Sequence, residues 1–346
     1  MRILFVALSK EIKGGGRYAE HVMRQALSER HKVKFLYLRQ GGIMGMIPKR
    51  LQACILGYLP LLACRFYNLI FTSDNFVFAD VVYAQPPAGK DATLTWNEMV
   101  IGRSSNRWLQ WLALLPQRPL KALVSKHADF ITNSNYAREI VQRTYGKDPS
   151  VIYPPVPTHL YQSLEAVRDN LVVTISALAL TKNLGLIAEV GKMVPEAKFI
   201  LVGFYHEAFA QILERIRAEF EALGLGDNFE YVASASDETK VKILTKAKVY
   251  FHPTFYEPFG IGIVEGMAAG CIPVVHDSGG PQEFVPHEWR YRGVEDAASK
   301  IRYALKSWNI TVAAKFRALG LEFGEERFKQ EILEFVEQKI SRQTSK

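Results

Sequence analysis

The chain has 346 residues, of which 48% are hydrophobic and 23% charged, and its formal net charge is +8. It is too long for one ordinary core and too apolar for a disordered chain, so we expect two folded domains. The excess positive charge lies in the first half and is spread over many segments. That spread suits an anionic membrane or a phosphorylated substrate better than nucleic acid, and we expect no nucleic-acid partner.

Cysteine usage and the first residues indicate the compartment. Cys54, Cys64 and Cys271 show neither a pairing pattern nor metal-ligand spacing, so we expect a reducing environment and no structural metal. The apolar run 3–8 is followed by Lys10 and a glycine loop, which is typical of a buried strand rather than of a signal peptide. We therefore expect a cytoplasmic protein.

The first half of the chain alternates strand and helix patterns. Its first apolar run leads into Gly14-Gly15-Gly16, a helical pattern and a second apolar run, which together indicate a βαβ unit. Ser134 and Asn135 provide a cap for a later helix. Such alternation is typical of a doubly wound parallel sheet. We predict strands at 3–8, 33–38, 81–83 and 130–132 and helices at 18–28 and 136–145.

A proline-rich stretch at 151–157 interrupts this pattern, and we interpret it as the linker between two domains. The alternation then restarts, which indicates a second α/β domain. A charged amphipathic helix is predicted at 325–340, with apolar positions that need a surface to cover. Those positions are Phe328, Ile332, Phe335 and Ile340. The other predictions are strands at 171–176, 199–202, 249–251 and 272–276, and helices at 184–193, 206–223 and up to 269, ended by Gly270.

The segment 55–64 is apolar, but it is short and contains Pro60, so it does not span a bilayer. Lys49, Arg50 and Arg65 flank it. Two interpretations stay open. The segment is either an interfacial element that contacts anionic lipid or a lipid-linked acceptor, or a core helix of the first domain.

The stretch 255–283 carries the most specific chemistry. Glu257 and Glu265, eight residues apart, bracket a turn containing Pro258 and Gly260 that leads into an apolar helix. Free amides at that helix start, together with the helix dipole, suit the phosphates of a nucleotide diphosphate. Glu265, about one turn into the helix, is placed to accept hydrogen bonds from ribose hydroxyls. The alternative is that both glutamates are solvated carboxylates at a helix end.

This stretch resembles glycosyltransferase family 4, whose pattern is Glu, seven residues, Glu. The wording Phe-Gly-Ile-Gly-Ile-Val-Glu, Met-Ala-Ala-Gly and His-Asp-Ser-Gly-Gly-Pro is especially similar to the α-1,2-mannosyltransferases that extend dolichol-linked oligosaccharide with GDP-mannose. The resemblance covers nearly the whole chain and implies a GT-B fold and retaining transfer without cofactor or metal. It implies that Glu257 contacts the donor sugar, that the amides of Phe259, Gly260 and Ile261 contact its phosphate and sugar, and that Glu265 contacts the ribose.

The same resemblance implies further donor contacts. Gly15 and Gly16 lie where family members bring backbone amides close to the donor phosphates, although a plain strand-to-helix turn is the alternative. Lys182 lies where relatives carry a lysine that neutralises the leaving diphosphate, which would give it, like Glu257, a catalytic role. A merely solvated lysine is the other interpretation.

Two positions depart from the family pattern. Ala177 stands where relatives carry an arginine, so either Arg17 assists Lys182 or donor binding is weakened. Gln85 stands where relatives often carry a histidine; glutamine can hydrogen-bond a sugar hydroxyl but cannot exchange a proton near neutral pH. These departures keep open a non-catalytic, membrane-associated partner of such an enzyme.

Other enzyme classes have weaker support. A sugar-nucleotide 2-epimerase shares the architecture and stays an alternative, but its histidine and acidic pattern is not evident. A dinucleotide dehydrogenase is disfavoured, because Gly16 is followed by Arg17, Tyr18 and Ala19 rather than by G-x-G-x-x-G spacing. The histidines form no metal-binding group, so hydrolytic metal chemistry is unsupported.

The sequence therefore predicts an α/β protein of the GT-B class. Two Rossmann-like doubly wound domains are expected to face each other across a cleft, with the C-terminal helix packing back on the first. We expect an acceptor-side domain at 1–154, a donor-nucleotide domain at 155–324 and the returning helix at 325–346. The predicted reaction moves a hexose, with mannose from GDP-mannose as the first choice, to a glycan or polyprenyl-linked acceptor.

Overall fold

The computed structural model describes residues 1–7, 15–37, 58, 60–73, 78–90, 92, 117–204 and 210–344. The chain divides into two compact units, one of residues 1–87, 91–153 and 328–346 and the other of residues 88–90 and 154–327. The change of unit between Tyr153 and Pro154 lies beside the boundary predicted after residue 154. No regular element lies between the strand Ser150–Val151 and the 3₁₀ turn Thr158–Leu160 in this fully described stretch. The prolines there lack the amide donors that a sheet or helix needs.

The first unit is built on a six-stranded parallel sheet. Its strands are β1 (Arg2–Ala7), β2 (Lys32–Tyr37), β3 (Leu69–Thr72), β4 (Val81–Ala84), β5 (Asp129–Thr132) and β6 (Ser150–Val151), in the order β2-β1-β3-β4-β5-β6. Three helices that precede the linker lie in this unit: α1 (Gly15–Arg30), α2 (Gln117–His127) and α3 (Asn135–Tyr145).

Local capping fixes both ends of α3. The hydroxyl of Ser134 accepts a hydrogen bond from the amide of Ala137 at 3.0 Å. At the other end Gly146 adopts a left-handed conformation, φ +65°, and its amide donates to the carbonyl of Gln142. Both devices satisfy backbone groups that a helix end leaves unpaired, and the cap predicted at Ser134 is confirmed.

The second unit repeats the architecture. Its parallel sheet also has six strands, in the order β12-β11-β10-β7-β8-β9. They are β7 (Asp169–Ile175), β8 (Lys198–Gly203), β9 (Phe229–Ala233), β10 (Ala247–His252), β11 (Ile272–His276) and β12 (Arg290–Tyr291). The helices are α4 (Leu186–Met193), α5 (Ala210–Glu221), α6 (Asp237–Lys246), α7 (Ile261–Ala268), α8 (Val294–Ser307), α9 (Ile310–Leu321) and the start of α10 (Glu325–Thr344). Of the predicted helix 206–223, residues 205–209 lie outside the described residues.

The C-terminal helix α10 belongs mainly to the first unit, because residues 328–346 are grouped with it. Phe328, Ile332 and Val336 are fully buried in the same cluster as Ile3 and Phe5 of β1. The predicted return of this helix to the first domain is therefore confirmed. Apolar residues three to four positions apart form one face of a helix, and here that face covers one side of the first sheet.

The apolar segment suspected of membrane contact is only partly described. Of its residues, 55–57 and 59 lie outside the described residues. The side chain of Leu62, in the described part, is 75% exposed, and that of Phe66, just after the segment, is 64% exposed. Among the described helices, none combines the length and the apolar character needed to cross a bilayer.

Candidate functional site

The strand order of the second unit shows where a site belongs. From β7 the chain runs outward through β8 and β9, and then returns to place β10 on the other side of β7. Ligands of open α/β sheets bind at the carboxyl ends of the strands where the order reverses in this way. Lys182 follows β7 and Glu257 follows β10, so the topology brings together two residues that are 75 positions apart.

The two loops at this switch point are joined to each other. The Thr254 hydroxyl donates to the carbonyl of Lys182 at 3.3 Å, and the Asn183 amide donates to the carbonyl of Pro253 at 3.4 Å. Asn183 adopts a left-handed backbone, φ +50°, which asparagine tolerates better than most residues. The loops therefore hold Lys182 beside the turn that carries Glu257.

The turn from Glu257 to Gly260 is fixed by a neighbouring pair of glycines. The amide of Gly280 donates to the carbonyl of Glu257 at 2.9 Å. A Cβ atom at Gly280 would lie 1.9 Å from the carbonyl oxygen of Pro258, and one at Gly279 would lie 2.4 Å from that of Glu257. Only residues without a side chain permit this close approach of two backbones.

Phe259 anchors the turn through its buried ring. Its side chain is buried and packs against the rings of Phe284 and Phe323, with centroids 5.1 and 5.5 Å away. Gly260 then adopts a left-handed conformation, φ +94°, and α7 begins at Ile261. A turn held by aromatic packing and glycine contacts gives the start of α7 a fixed position.

The amino end of α7 is available to an anion. Its cap residue is Gly260, which has no side chain to bond the first amides, although the amide of Ile263 donates to the carbonyl of Gly260 at 2.9 Å. The helix packs tightly on β10, since a Cβ atom at Gly262 or Gly266 would lie 2.4 or 2.6 Å from atoms of Tyr250. Uncapped amides and the positive helix end favour a bound negative charge.

Glu257 is held by two basic side chains. The ammonium group of Lys182 lies 2.7 Å from Glu257 Oε2, and Nε2 of His252 lies 3.3 Å from the same oxygen. His252 is buried, and its Nδ1 has no hydrogen-bond partner among the described residues. Because a carboxylate only accepts, the contact assigns a proton to Nε2 of His252.

This environment keeps Glu257 ionised. Burial alone would raise the pKa of Glu257, but the charge of Lys182 and the hydrogen bond from His252 outweigh it and lower the pKa to about 2. Its side chain is only 12% exposed. At neutral pH Glu257 can accept hydrogen bonds or balance charge, but it has no proton to donate.

Glu265 lies one turn further along α7 and has a different environment. Its side chain is 5% exposed, and its Oε1 receives Lys240 Nζ at 3.0 Å and the Tyr161 hydroxyl at 3.4 Å. Burial raises the pKa of Glu265, and the nearby ammonium of Lys240 offsets only part of that rise. Neither glutamate is the freely solvated helix-end carboxylate that the sequence left as an alternative.

The structure also shows where the other positions singled out by the sequence lie. Gly15 and Gly16 begin α1 in the first unit, while Gly14 and the side chain of Arg17 lie outside what the structure describes. Gln85 directly follows β4, and Ala177 is an exposed residue two positions after β7. The roles of Gly15 and Gly16 stay predictions.

Sequence reasoning missed three side chains that touch the two glutamates, namely His252, Lys240 and Tyr161. His252 ends an apolar strand, and Lys240 is one of three lysines in the stretch 237–246. Tyr161 is 104 positions from its partner. No local pattern marks such contacts, because they arise only when separate elements pack together. Within the described ranges, no group of three or more His, Cys, Asp or Glu residues could hold a metal.

Residues 158–316 match the family model described as "Glycosyl transferases group 1". This part of the chain is similar to group 1 glycosyl transferases. It contains Lys182, Glu257 and Glu265 together with their contacts, so the match covers the site just described. The resemblance to glycosyltransferases drawn from the motif wording is thereby confirmed.

Curated relatives carry more specific names. A Dictyostelium discoideum protein named GDP-Man:Man(3)GlcNAc(2)-PP-Dol alpha-1,2-mannosyltransferase is 28% identical over 230 residues, covering 60% of this chain and 46% of the relative. The human protein of the same name is 28% identical over 222 residues, covering 56% and 44%. The match thus spans less than half the length of these relatives.

Solved structures confirm the GT-B fold over the full chain. Sucrose-phosphate synthase from Thermosynechococcus elongatus has a TM-score of 0.74 at 17% identity and covers 99% of both chains. Anabaena HepE, solved in complex with UDP and glucose, has a TM-score of 0.69 at 17% identity and covers 97% of this chain and 99% of its own. At such low identity the likeness concerns the fold alone.

Proposed function

We propose that this chain transfers a hexose from a sugar nucleotide to a hydroxyl group of a glycan or lipid-linked acceptor. The observation that carries the proposal is the Lys182–Glu257 pair at the switch point of the second sheet, beside the uncapped start of α7. The group 1 glycosyl transferase match over the same residues supports it.

The donor diphosphate would bind at the amino end of α7. The amides of Phe259, Gly260 and Ile261 and the helix dipole would face its phosphates. Lys182 would then divide its charge between Glu257 and the diphosphate, and it would neutralise the negative charge that builds up on the leaving group. Glu265, one turn into α7, would accept hydrogen bonds from the ribose.

Retention of the anomeric configuration is part of the proposal. The bond between the sugar's anomeric carbon and the diphosphate oxygen breaks, and a bond to the acceptor oxygen forms on the same face. The acceptor proton passes to the leaving diphosphate, so no side chain needs to act as base. This agrees with a Glu257 that stays ionised and with a glutamine, Gln85, where relatives often carry histidine.

Mannose from GDP-mannose is the finer proposal for the donor. It is supported by the names of relatives that share 28% identity with this chain. UDP-sugars are the second choice, supported by the fold shared with a UDP-bound structure. The acceptor proposed from the same relatives' names is a glycan linked to a polyprenyl diphosphate.

The transfer assay tests the enzymatic proposal directly. The chain is incubated with labelled GDP-mannose, UDP-glucose and ADP-glucose and with a polyprenyl-diphosphate-linked oligosaccharide, and both free nucleotide and labelled glycolipid are measured. We expect transfer from one donor, with rates at least about tenfold lower for Glu257→Gln and Lys182→Met. Lys198→Met is the matched control, because Lys198 pairs with Glu230 on the surface at the edge of the same sheet.

Each alternative predicts another outcome of that assay. A 2-epimerase would convert the sugar without transferring it to the acceptor. A non-catalytic partner subunit would turn over none of the donors while remaining folded. Either result would contradict the proposal.

We also propose that the first unit contacts the membrane that holds the acceptor. Leu62 and Phe66 are highly exposed, and the exposed Arg65 lies between them. Apolar side chains beside basic ones suit the interface of an anionic bilayer.

Flotation with phosphatidylglycerol vesicles tests this contact. It should fall for the double variant Leu62→Asp and Phe66→Asp but not for Leu223→Asp, which changes an exposed leucine in the second unit. Equal flotation of the two would refute the contact.

A further inference from the structure

Lys240 connects helix α6 to the carboxylate of Glu265. Its Nζ lies 3.0 Å from Glu265 Oε1 and 2.8 Å from Asp237 Oδ1. Glu265 is buried, whereas Asp237 is exposed at the first turn of α6. Lys240 therefore bridges a buried acceptor and a solvated one, and its ammonium group is held between two carboxylates.

The contacts of Glu265 are unevenly divided between its two oxygens. Lys240 and the Tyr161 hydroxyl both approach Oε1, and they come from α6 and from the segment that follows the linker. Neither of these two donors is hydrogen-bonded to Glu265 Oε2. A carboxylate held by two donors on one oxygen presents its other oxygen in a fixed direction.

Burial makes the charge of Glu265 costly without a nearby cation. An isolated carboxylate in an apolar environment takes up a proton rather than remain ionised. A protonated acid gives up part of its acceptor capacity and forms weaker hydrogen bonds to hydroxyl groups than a carboxylate does. A residue that keeps Glu265 ionised would therefore control how strongly it accepts a vicinal diol.

We propose that Lys240 is a positioning residue that holds Glu265 ionised and aims its Oε2 at the 2′- and 3′-hydroxyls of the nucleotide. The proposal rests on the proposed function, since it assigns the ribose to Glu265. It names a specificity: the site distinguishes ribonucleotides from 2′-deoxyribonucleotides, and Lys240 maintains that distinction. Tyr161, as the second donor to Oε1, supports the same orientation.

The test is a titration of the full chain with GDP, 2′-deoxy-GDP, UDP and 2′-deoxy-UDP. We expect the wild type to bind one ribonucleotide more tightly than its deoxy form. In Lys240→Met that ratio of dissociation constants should fall about tenfold, the order expected for losing hydrogen bonds to a charged group. Binding of the deoxy form should change less, because it offers Glu265 only its 3′-hydroxyl.

Two variants separate this role from a general effect on folding. Lys242→Met is the matched control, because Lys242 lies on the same helix, is 70% exposed and pairs with Glu238 at the surface. It should leave the ratio unchanged. In Glu265→Gln the ratio should already be low, and adding Lys240→Met should lower it no further, since the two residues act as one unit.

The outcomes distinguish the two proposals. If Lys240→Met weakens ribo- and deoxyribonucleotides equally, or strengthens ribonucleotide binding by freeing Glu265, the positioning role is refuted while donor binding stands. If the folded wild type binds none of the four nucleotides, both proposals fail. A reduced ratio in Lys242→Met would also refute the assignment to Lys240.

Discussion

At the scale of single residues, the two glutamates of the motif show how neighbours set the chemistry of one side-chain type. Glu257 has a lysine and a histidine on one oxygen and stays ionised, whereas Glu265 is more deeply buried and depends on Lys240. The sequence pattern predicted that both matter. It could not show that the two glutamates have different environments, because the side chains that contact them lie on other strands and helices.

The ionisation of Glu257 makes stability depend on pH. Its pKa falls from an ordinary 4.5 to about 2, so its contribution is complete above pH 4.5 and is lost as the pH falls towards 2. We expect Glu257→Gln to lower the free energy of unfolding by about 3 kcal/mol at pH 7, and by progressively less below pH 4.5. Urea unfolding of both proteins at pH 7, 5, 4 and 3 measures this difference.

The control for that series is Glu238→Gln, which removes a glutamate paired with Lys242 at the surface of α6. It should cause a smaller change, because solvent screens the exposed pair. A difference between Glu257→Gln and wild type that is absent at pH 7, or constant across the series, would contradict the strong pairing of Glu257 with Lys182 and His252.

At the scale of elements, the turn before α7 owes its position to the Ser278-Gly279-Gly280 segment after β11. The amide of Tyr256 donates to the Ser278 hydroxyl at 2.8 Å, and the two glycines contact the backbone of Glu257 and Pro258. The sequence motif contained these residues but did not indicate that they pack against the turn. Only the parallel pairing of β10 with β11 places them side by side.

Substitution of Gly280 tests the role of this contact. In Gly280→Ala the new Cβ would meet the carbonyl oxygen of Pro258 at 1.9 Å, so the turn must move. We expect at least about tenfold weaker binding of the donor nucleotide, together with a loss of stability of about 1–3 kcal/mol. Isothermal titration and urea unfolding measure the two effects.

Gly185→Ala provides the matched control for Gly280→Ala. A Cβ atom there meets nothing within 4 Å, and the residue already has a helical backbone, so binding should be unchanged. Equal nucleotide affinity in Gly280→Ala and wild type would show that the position of the turn is not needed for the site.

Many elements could be predicted from the sequence because their pattern is local. Short apolar runs indicated the buried strands β1, β7, β10 and β11, and Ser134 indicated the start of α3. Strand β3 (Leu69–Thr72) and helix α6 were not predicted. Helix α6 buries only Leu244 and Thr245, so it carries little helical periodicity, although it supplies Lys240 to the site.

At the scale of the whole molecule, the C-terminal helix joins the core of the first unit. The ring of Phe328 meets that of Tyr83 edge to face at a centroid distance of 6.0 Å. The spacing of the apolar residues in α10 predicted that this helix covers a surface, and the family resemblance predicted that the surface belongs to the first domain. The linker at the prolines was likewise visible in the sequence, whereas the strand order, which places Lys182 beside Glu257, was not.

Phe328→Ala tests the attachment of α10 to the first unit. Removing a fully buried phenylalanine should destabilise this unit by about 3–5 kcal/mol. Hydrogen exchange should therefore accelerate in β1 and β4 much more than in β7 of the second unit. Gln338→Ala, at an exposed position of the same helix, should leave exchange unchanged. Equal acceleration in both sheets would contradict the assignment of α10 to the first unit.

We propose that a sugar nucleotide binds at the start of α7 between Lys182 and Glu265. Calorimetric titration of GDP into wild type, Lys182→Met and Glu265→Gln tests it, with UDP and ADP titrated in parallel. We expect one nucleoside diphosphate to bind the wild type and each substitution to weaken that binding at least about tenfold. A folded wild type that binds none of them, or variants that bind as tightly as the wild type, would contradict it.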